Sequence, residues 1–173
     1  MDKVVASPAE AVADIEDGAI VAIAGFGPEH RFPTSLLWAI VKKAPHDLTI
    51  VCNSLGGVDP EAPRAKLIEM GLVSRLIAAF SARAGTGRSL LEEQIASGKI
   101  ACELVPQGTL VERCRAAGAG IAGFYTPTSA GTPIADGKEI RLFDGKPYVF
   151  EKALHVDFAL IRAAKADRSG NLV

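Results

Sequence analysis

Long apolar runs are missing from this sequence. The most hydrophobic segment, IVAIAGF, is the length of a strand, whereas a membrane helix needs about 20 apolar residues, so no span is expected. The opening residues, MDKVVASPAEAV, carry no apolar signal-peptide core. Neither sign of charge dominates: 19 Lys+Arg stand against 20 Asp+Glu, a formal net charge of −1. With no basic stripe, nucleic acid is not an expected partner. Cysteine is scarce, and Cys52, Cys102 and Cys114 have no metal-ligand spacing. An odd thiol count without a secretion signal fits reduced, core-packed cysteines in the cytoplasm. His30, His46 and His155 are far apart, so no metal site is expected. There is no G-x-x-x-x-G-K-[ST] and no G-x-S-x-G, which argues against a P-loop or a nucleophile elbow. Gly25-Phe26-Gly27 follows an apolar run, but His30 stands where a dinucleotide fingerprint needs its third glycine.

What is present reads as one compact domain over residues 1–173, with 49% hydrophobic residues. Ser7-Pro8 with Glu10 has the pattern of a capped helix start. Residues 19–25, 47–53, 74–80 and 100–106 read as strands. Helices are expected over TSLLWAIVKKA, around 64–70, from Ser89 with Glu92 as its capping-box partner, and over LVERCRAAG. This alternation predicts an α/β fold: an open, mostly parallel sheet with helices on both faces. EIRLFD and KPYVFEKAL around Asp144-Gly145 predict a C-terminal hairpin. DFALIRAA (157–164) reads as a last, central strand, and a central strand needs a neighbour on each side.

Ligands bind such sheets beyond the C-terminal strand ends. The loops Gly25–Phe32, Asn53–Pro63 and Ser81–Arg88 all follow expected strands, so they should crowd that edge. Asn53, at a strand end, has two readings: an amide donor to a carboxylate or thioester oxygen, or an Asx-turn cap. Gln107 stands in the same position after the fourth strand, where Thr109 could instead cap a helix. Glu29-His30 reads as an exposed polar loop more than an acid–base pair. Glu103, mid-strand, reads as structural and in need of a partner. Residues 118–151 are rich in glycine and proline, with Thr126, Thr128, Ser129 and Thr132 between them. They read either as a ligand-binding loop or as a long surface connection.

Several blocks together resemble the A (α) subunit of family I, 3-oxoacid-type CoA-transferases. They are DGAIVAIAGFG (17–27) with Pro33, DLTIVCNSLG (47–56), residues 92–132, GKEIRLFDGKPYVFEKAL (137–154) and DFALIRAAKADRSGNLV (157–173). The resemblance implies a CoA-transferase-like fold and transfer of CoA between an acyl-CoA, of 3-oxoacyl-CoA or succinyl-CoA type, and a carboxylic acid. It implies a ping-pong route through a glutamyl-CoA thioester. The nucleophilic glutamate of that family lies on a B subunit, in a Ser-Glu-Asn-Gly-like stretch, and no glutamate here is followed by Asn-Gly. No catalytic residue is therefore expected in this chain, which would act in a cytoplasmic hetero-oligomer with a B subunit. CoA enters as a substrate, with no cofactor. By position, Gly25, Phe26, Gly27, Arg31, Asn53 and Gln107 would bind acyl-CoA and acid.

The chain departs from the family pattern at its first loop. Ala24 replaces a glycine, six residues instead of five separate Phe26 from Pro33, and His30-Arg31 stand where a glycine is usual. Arginine there forbids close backbone approach but offers a carboxylate clamp. The end at Val173 is short of the length usual for this family. A non-catalytic ligand-binding module and a CoA-ester hydrolase remain alternatives on the same fold.

Overall fold

A computed structural model describes residues 2–26, 31–55, 59–81 and 87–173. Strands β1 (Ile20–Ile23), β2 (Leu48–Ser54), β3 (Val73–Phe80) and β4 (Ala101–Leu104) alternate with helices α1 (Pro8–Ala11), α2 (Thr34–Lys43), α3 (Pro63–Glu69) and α4 (Leu90–Ala96). α5 (Gln107–Gly118) follows β4. The strands pair in parallel in the order β4-β3-β2-β1-β8, where β8 is Phe158–Leu160.

Side-chain alternation along the strands explains the two covered faces. Val21, Ile23, Leu48, Ile50, Cys52 and Leu76 pack against Leu37 and Ile40 of α2, Leu67 of α3 and Leu91 of α4. The intervening Val51 and Ile77 point the other way, to Leu110 of α5 and to Leu154. Each fully buried Leu or Ile contributes about 1.5–3 kcal/mol relative to exposure. Ser89 accepts from the Glu92 amide while the Glu92 carboxylate accepts from the Ser89 N–H, a complete capping box at α4. At α1 only half the device forms: Ser7 Oγ accepts from the Glu10 N–H, but the Glu10 carboxylate accepts from Ala6 instead.

Two expectations change. Residues 118–151 are not one long loop. They hold β5 (Gly123–Thr126), a 3-10 turn at Pro133–Ala135, β6 (Ile140–Phe143) and most of β7 (Lys146–Lys152). These three strands form an antiparallel sheet of order β5-β7-β6. The β6–β7 turn is the expected one, with Asp144 and Gly145 at φ 50° and 76°. The last strand is also different: β8 has three residues rather than the run 157–164, and it lies at the sheet edge, not its centre. In a period of two, Arg162 would follow buried Leu160 onto the same apolar face, so the strand stops there.

Candidate active-site edge

The C-terminal ends of β1 to β4 lie along one edge of the sheet. β1 pairs with β2 through Ile23 and Cys52, so Ala24 and Gly25 leave β1 beside Asn53. Gly25 has φ +146°, and a Cβ there would meet the Phe32 ring at 2.6 Å. Only glycine fits that place. Phe26 is exposed, with 59% of its surface open. Arg31 is exposed at φ +92°, a backbone region that side chains other than glycine's disfavour. Gly27 and the pair Glu29-His30 lie outside the described residues.

Asn53 does not cap a turn. Its Oδ1 is buried with no hydrogen-bond partner among the described residues. An unmet buried acceptor costs about 1–3 kcal/mol, so the position is not explained by stability. Gln107 opens α5 and is exposed. Thr109 does not cap this helix: it sits in the first turn with its side chain buried, and the N-cap residue is Pro106, which has no side-chain acceptor. The first N–H groups of α5 are therefore open donors at the positive end of the helix. β3 separates β2 from β4, and Gln107 lies three residues past the end of β4. The β1–β2 register brings Gly25 beside Asn53, with Phe26 next in the chain; Gln107 belongs to the segment that follows β4, two strands along the sheet.

Two clefts flank this edge. One, of about 250 Å³, opens between α2 and α3 beside Phe32, Thr34, Trp38 and Arg64. The other, of about 360 Å³, separates the start of α5 from β5 and is lined by Gly108, Thr109, Tyr125, Thr126 and Thr128. That second cleft gives the hydroxyls of the glycine-proline stretch a place beside Gln107. Among the described residues no group of three or more His, Cys, Asp or Glu side chains could hold a metal ion. Cys52 is buried, and burial pushes its thiol up to about 12, partly opposed by the charge of Arg64. Glu103, next to last in β4, is held in two ion pairs, with Arg75 and Arg113, as a structural acid should be.

Sequence reading missed Phe32 and Arg64, the pair stacked beside Gly25. Phe32 had a usable signal, an aromatic next to Pro33 and close to a strand-ending glycine. Arg64 had none, because a helical arginine ordinarily reads as surface.

The parallel sheet thus ends in a close-approach glycine, an asparagine with an unmatched side-chain oxygen and a helix start without a side-chain cap. The coenzyme A transferase family model matches residues 5–173, and the chain belongs to that family. It is 43% identical over 173 residues to the A subunit of the 3-oxoadipate CoA-transferase of Acinetobacter baylyi, covering 100% of this chain and 74% of that one. It is 42% identical over 173 residues to the A subunit of a probable succinyl-CoA:3-ketoacid coenzyme A transferase of Bacillus subtilis, covering 100% and 70%. An acyl-CoA transferase of Escherichia coli O157:H7, solved as a thioester complex with CoA, superposes with TM-score 0.81 at 27% identity. That alignment covers 96% of this chain and 36% of the other. The chain is a CoA-transferase subunit of the A type.

Proposed function

We propose that this chain supplies the substrate-binding half of a cytoplasmic CoA-transferase whose nucleophilic glutamate resides on a separate B subunit. The observation that carries this is the set of hydrogen-bond donors at the edge, which stands between clefts that also hold Asp59, Glu61 and Glu112. Asn53 offers the N–H donors of its Nδ2 at the end of β2, and α5 offers Gln107 and open N–H groups. Such groups stabilise a carboxylate or a developing oxyanion without competing with the nucleophile.

In the proposed reaction the partner's glutamate attacks the thioester carbonyl of a 3-oxoacyl-CoA or succinyl-CoA. CoA leaves as thiolate and a mixed anhydride forms. The thiolate then attacks the glutamyl carbonyl, releasing the first carboxylate and leaving glutamyl-CoA. A second carboxylate reverses these steps and collects the CoA. Covalent catalysis divides one hard exchange into easier ones. Gly25 lets backbone approach the acyl group, Phe26 packs against its apolar part, and Asn53 and Gln107 hold its oxygens. Arg31, with no ion-pair partner among the described residues, clamps the free carboxylate of the acid. Gly27 belongs to the same loop. CoA is a substrate, and no further cofactor or metal takes part.

The test is an acetoacetyl-CoA plus succinate exchange assay on this chain by itself, on the isolated B subunit, then on the two together. Exchange by the complex only is the expected result. Exchange by this chain without its partner overturns the proposal, and release of free CoA by the complex replaces it with a hydrolase.

A further inference from the structure

Between the end of β1 and α3 lies a three-residue stack that the reaction itself does not use. Phe32 is only 3% exposed, and the space beside its ring is so tight that a Cβ on Gly25 would come within 2.6 Å of a ring carbon. On the ring itself sits the guanidinium of Arg64, its central carbon 3.7 Å from the ring centroid. Arg64 is only 2% exposed, among the most buried side chains of the molecule, although it belongs to a short helix with open surface available. A lysine or arginine is seldom buried so far unless it is paired. A desolvated guanidinium over an aromatic face is attracted by the ring quadrupole more strongly than an exposed one. The planar group also stacks in a way an ammonium cannot. The stack thus joins three separate elements, the exit of β1, the entry to α2 and the start of α3. It does so beside Gly25, the residue before Phe26.

We propose that Arg64 is a positioning residue: acting through the Phe32 ring, it fixes the backbone at Gly25, where β1 ends, and at Phe32, where α2 begins, and so the places of Gly25 and Phe26 toward the carboxylic acid. This rests on the reading of Gly25 and Phe26 as substrate-binding. Arg64 touches no reacting atom. Its effect is on where the backbone of Gly25 and Phe32 stands, and displacement of about 1 Å at a positioning element costs up to about a hundredfold in rate.

The test uses Trp38, the only tryptophan in the chain, which lines the same cleft as Phe32 and Arg64. In the full chain, Arg64→Met and Phe32→Leu should each raise acrylamide quenching of Trp38 while leaving far-UV circular dichroism unchanged. Their double variant should show no more than the larger single effect, because both remove one stack. Phe32→Tyr, which keeps the ring face, should quench as the native chain does. With the B subunit present, Arg64→Met should raise KM for the acid about tenfold with kcat changed less. Arg64→Lys should behave as Arg64→Met, not as the native chain. Unchanged quenching in both single variants, or additive effects in the double, overturns the proposal. Changed quenching with an unaltered KM overturns the substrate part of it. If the native complex shows no exchange at all, the functional reading fails while the quenching result still decides the stack.

Discussion

Arg113 of α5 and Glu103 of β4 are joined by a 2.7 Å charge-assisted hydrogen bond, Nη1 to Oε1. Arg113 also donates from Nε to the Lys152 carbonyl at 2.8 Å and lies 4.0 Å from the Glu151 carboxylate. Lys138 reaches Glu151 at 2.7 Å, and Arg75 reaches Glu103 at 2.8 Å. A line of charges from Arg75 to Lys138 therefore fastens the small antiparallel sheet to the parallel one. Replacing Arg113 leaves Glu103 and fully buried Glu151 short of a partner. Arg113→Met should lower stability by about 3–5 kcal/mol, read by urea unfolding, and Arg113→Lys should not restore it.

The same network sets an acid dependence. Burial alone would push the Glu103 carboxyl up; the hydrogen bond and charge of Arg113, with those of Arg75, outweigh it and hold the carboxyl below its ordinary 4.5. A group with a depressed folded-state value contributes stability above its unfolded value and loses it as pH falls through the folded one. Glu103→Gln should thus melt below the native chain at pH 7. The gap should close as the pH is taken below 4.5. A gap that persists unchanged at low pH would assign the effect to packing.

Asn53 separates function from stability. Its Oδ1 has no partner to lose among the described residues. Asn53→Leu should leave the melting temperature equal to or above that of the native chain, and should lower exchange by the complex about 10²–10³-fold. A fall in both would mark Asn53 as structural.

The three thiols should be sluggish. Burial pushes Cys52 up to about 12 and raises Cys102 and Cys114 above their ordinary value as well. Thiolate is the reactive form, so alkylation by iodoacetamide at pH 8 should be slow at all three and slowest at Cys52. Mass mapping of the labelled peptides checks the order.

Much of the fold is legible from local pattern. The buried runs of β1 to β3, the Ser89–Glu92 box and the Asp144-Gly145 turn are written within a few residues of themselves. What is not legible depends on distant partners. β5, the segment GFYT, looks like loop text until β7 pairs with it from Val149 to Lys152. Arg113 and Lys152 are 39 positions apart, and no periodicity announces that bond. At the site, Gly25 and Asn53 can be read from their places at strand ends. Only the packed structure removes the Asx-cap reading of Asn53, because such a cap would have used its side-chain oxygen. Thr109 misleads for a related reason: its hydroxyl is a reasonable cap for a helix from Leu110, but α5 starts three residues earlier, at Gln107.

The most direct measurement is the intact mass of each chain after the complex meets acetoacetyl-CoA with no acceptor acid present. The predicted result is a CoA adduct on the B subunit, discharged by added succinate, with none on this chain. A CoA adduct on this chain would contradict it, since the nucleophile would then lie among the donors of its own sheet edge.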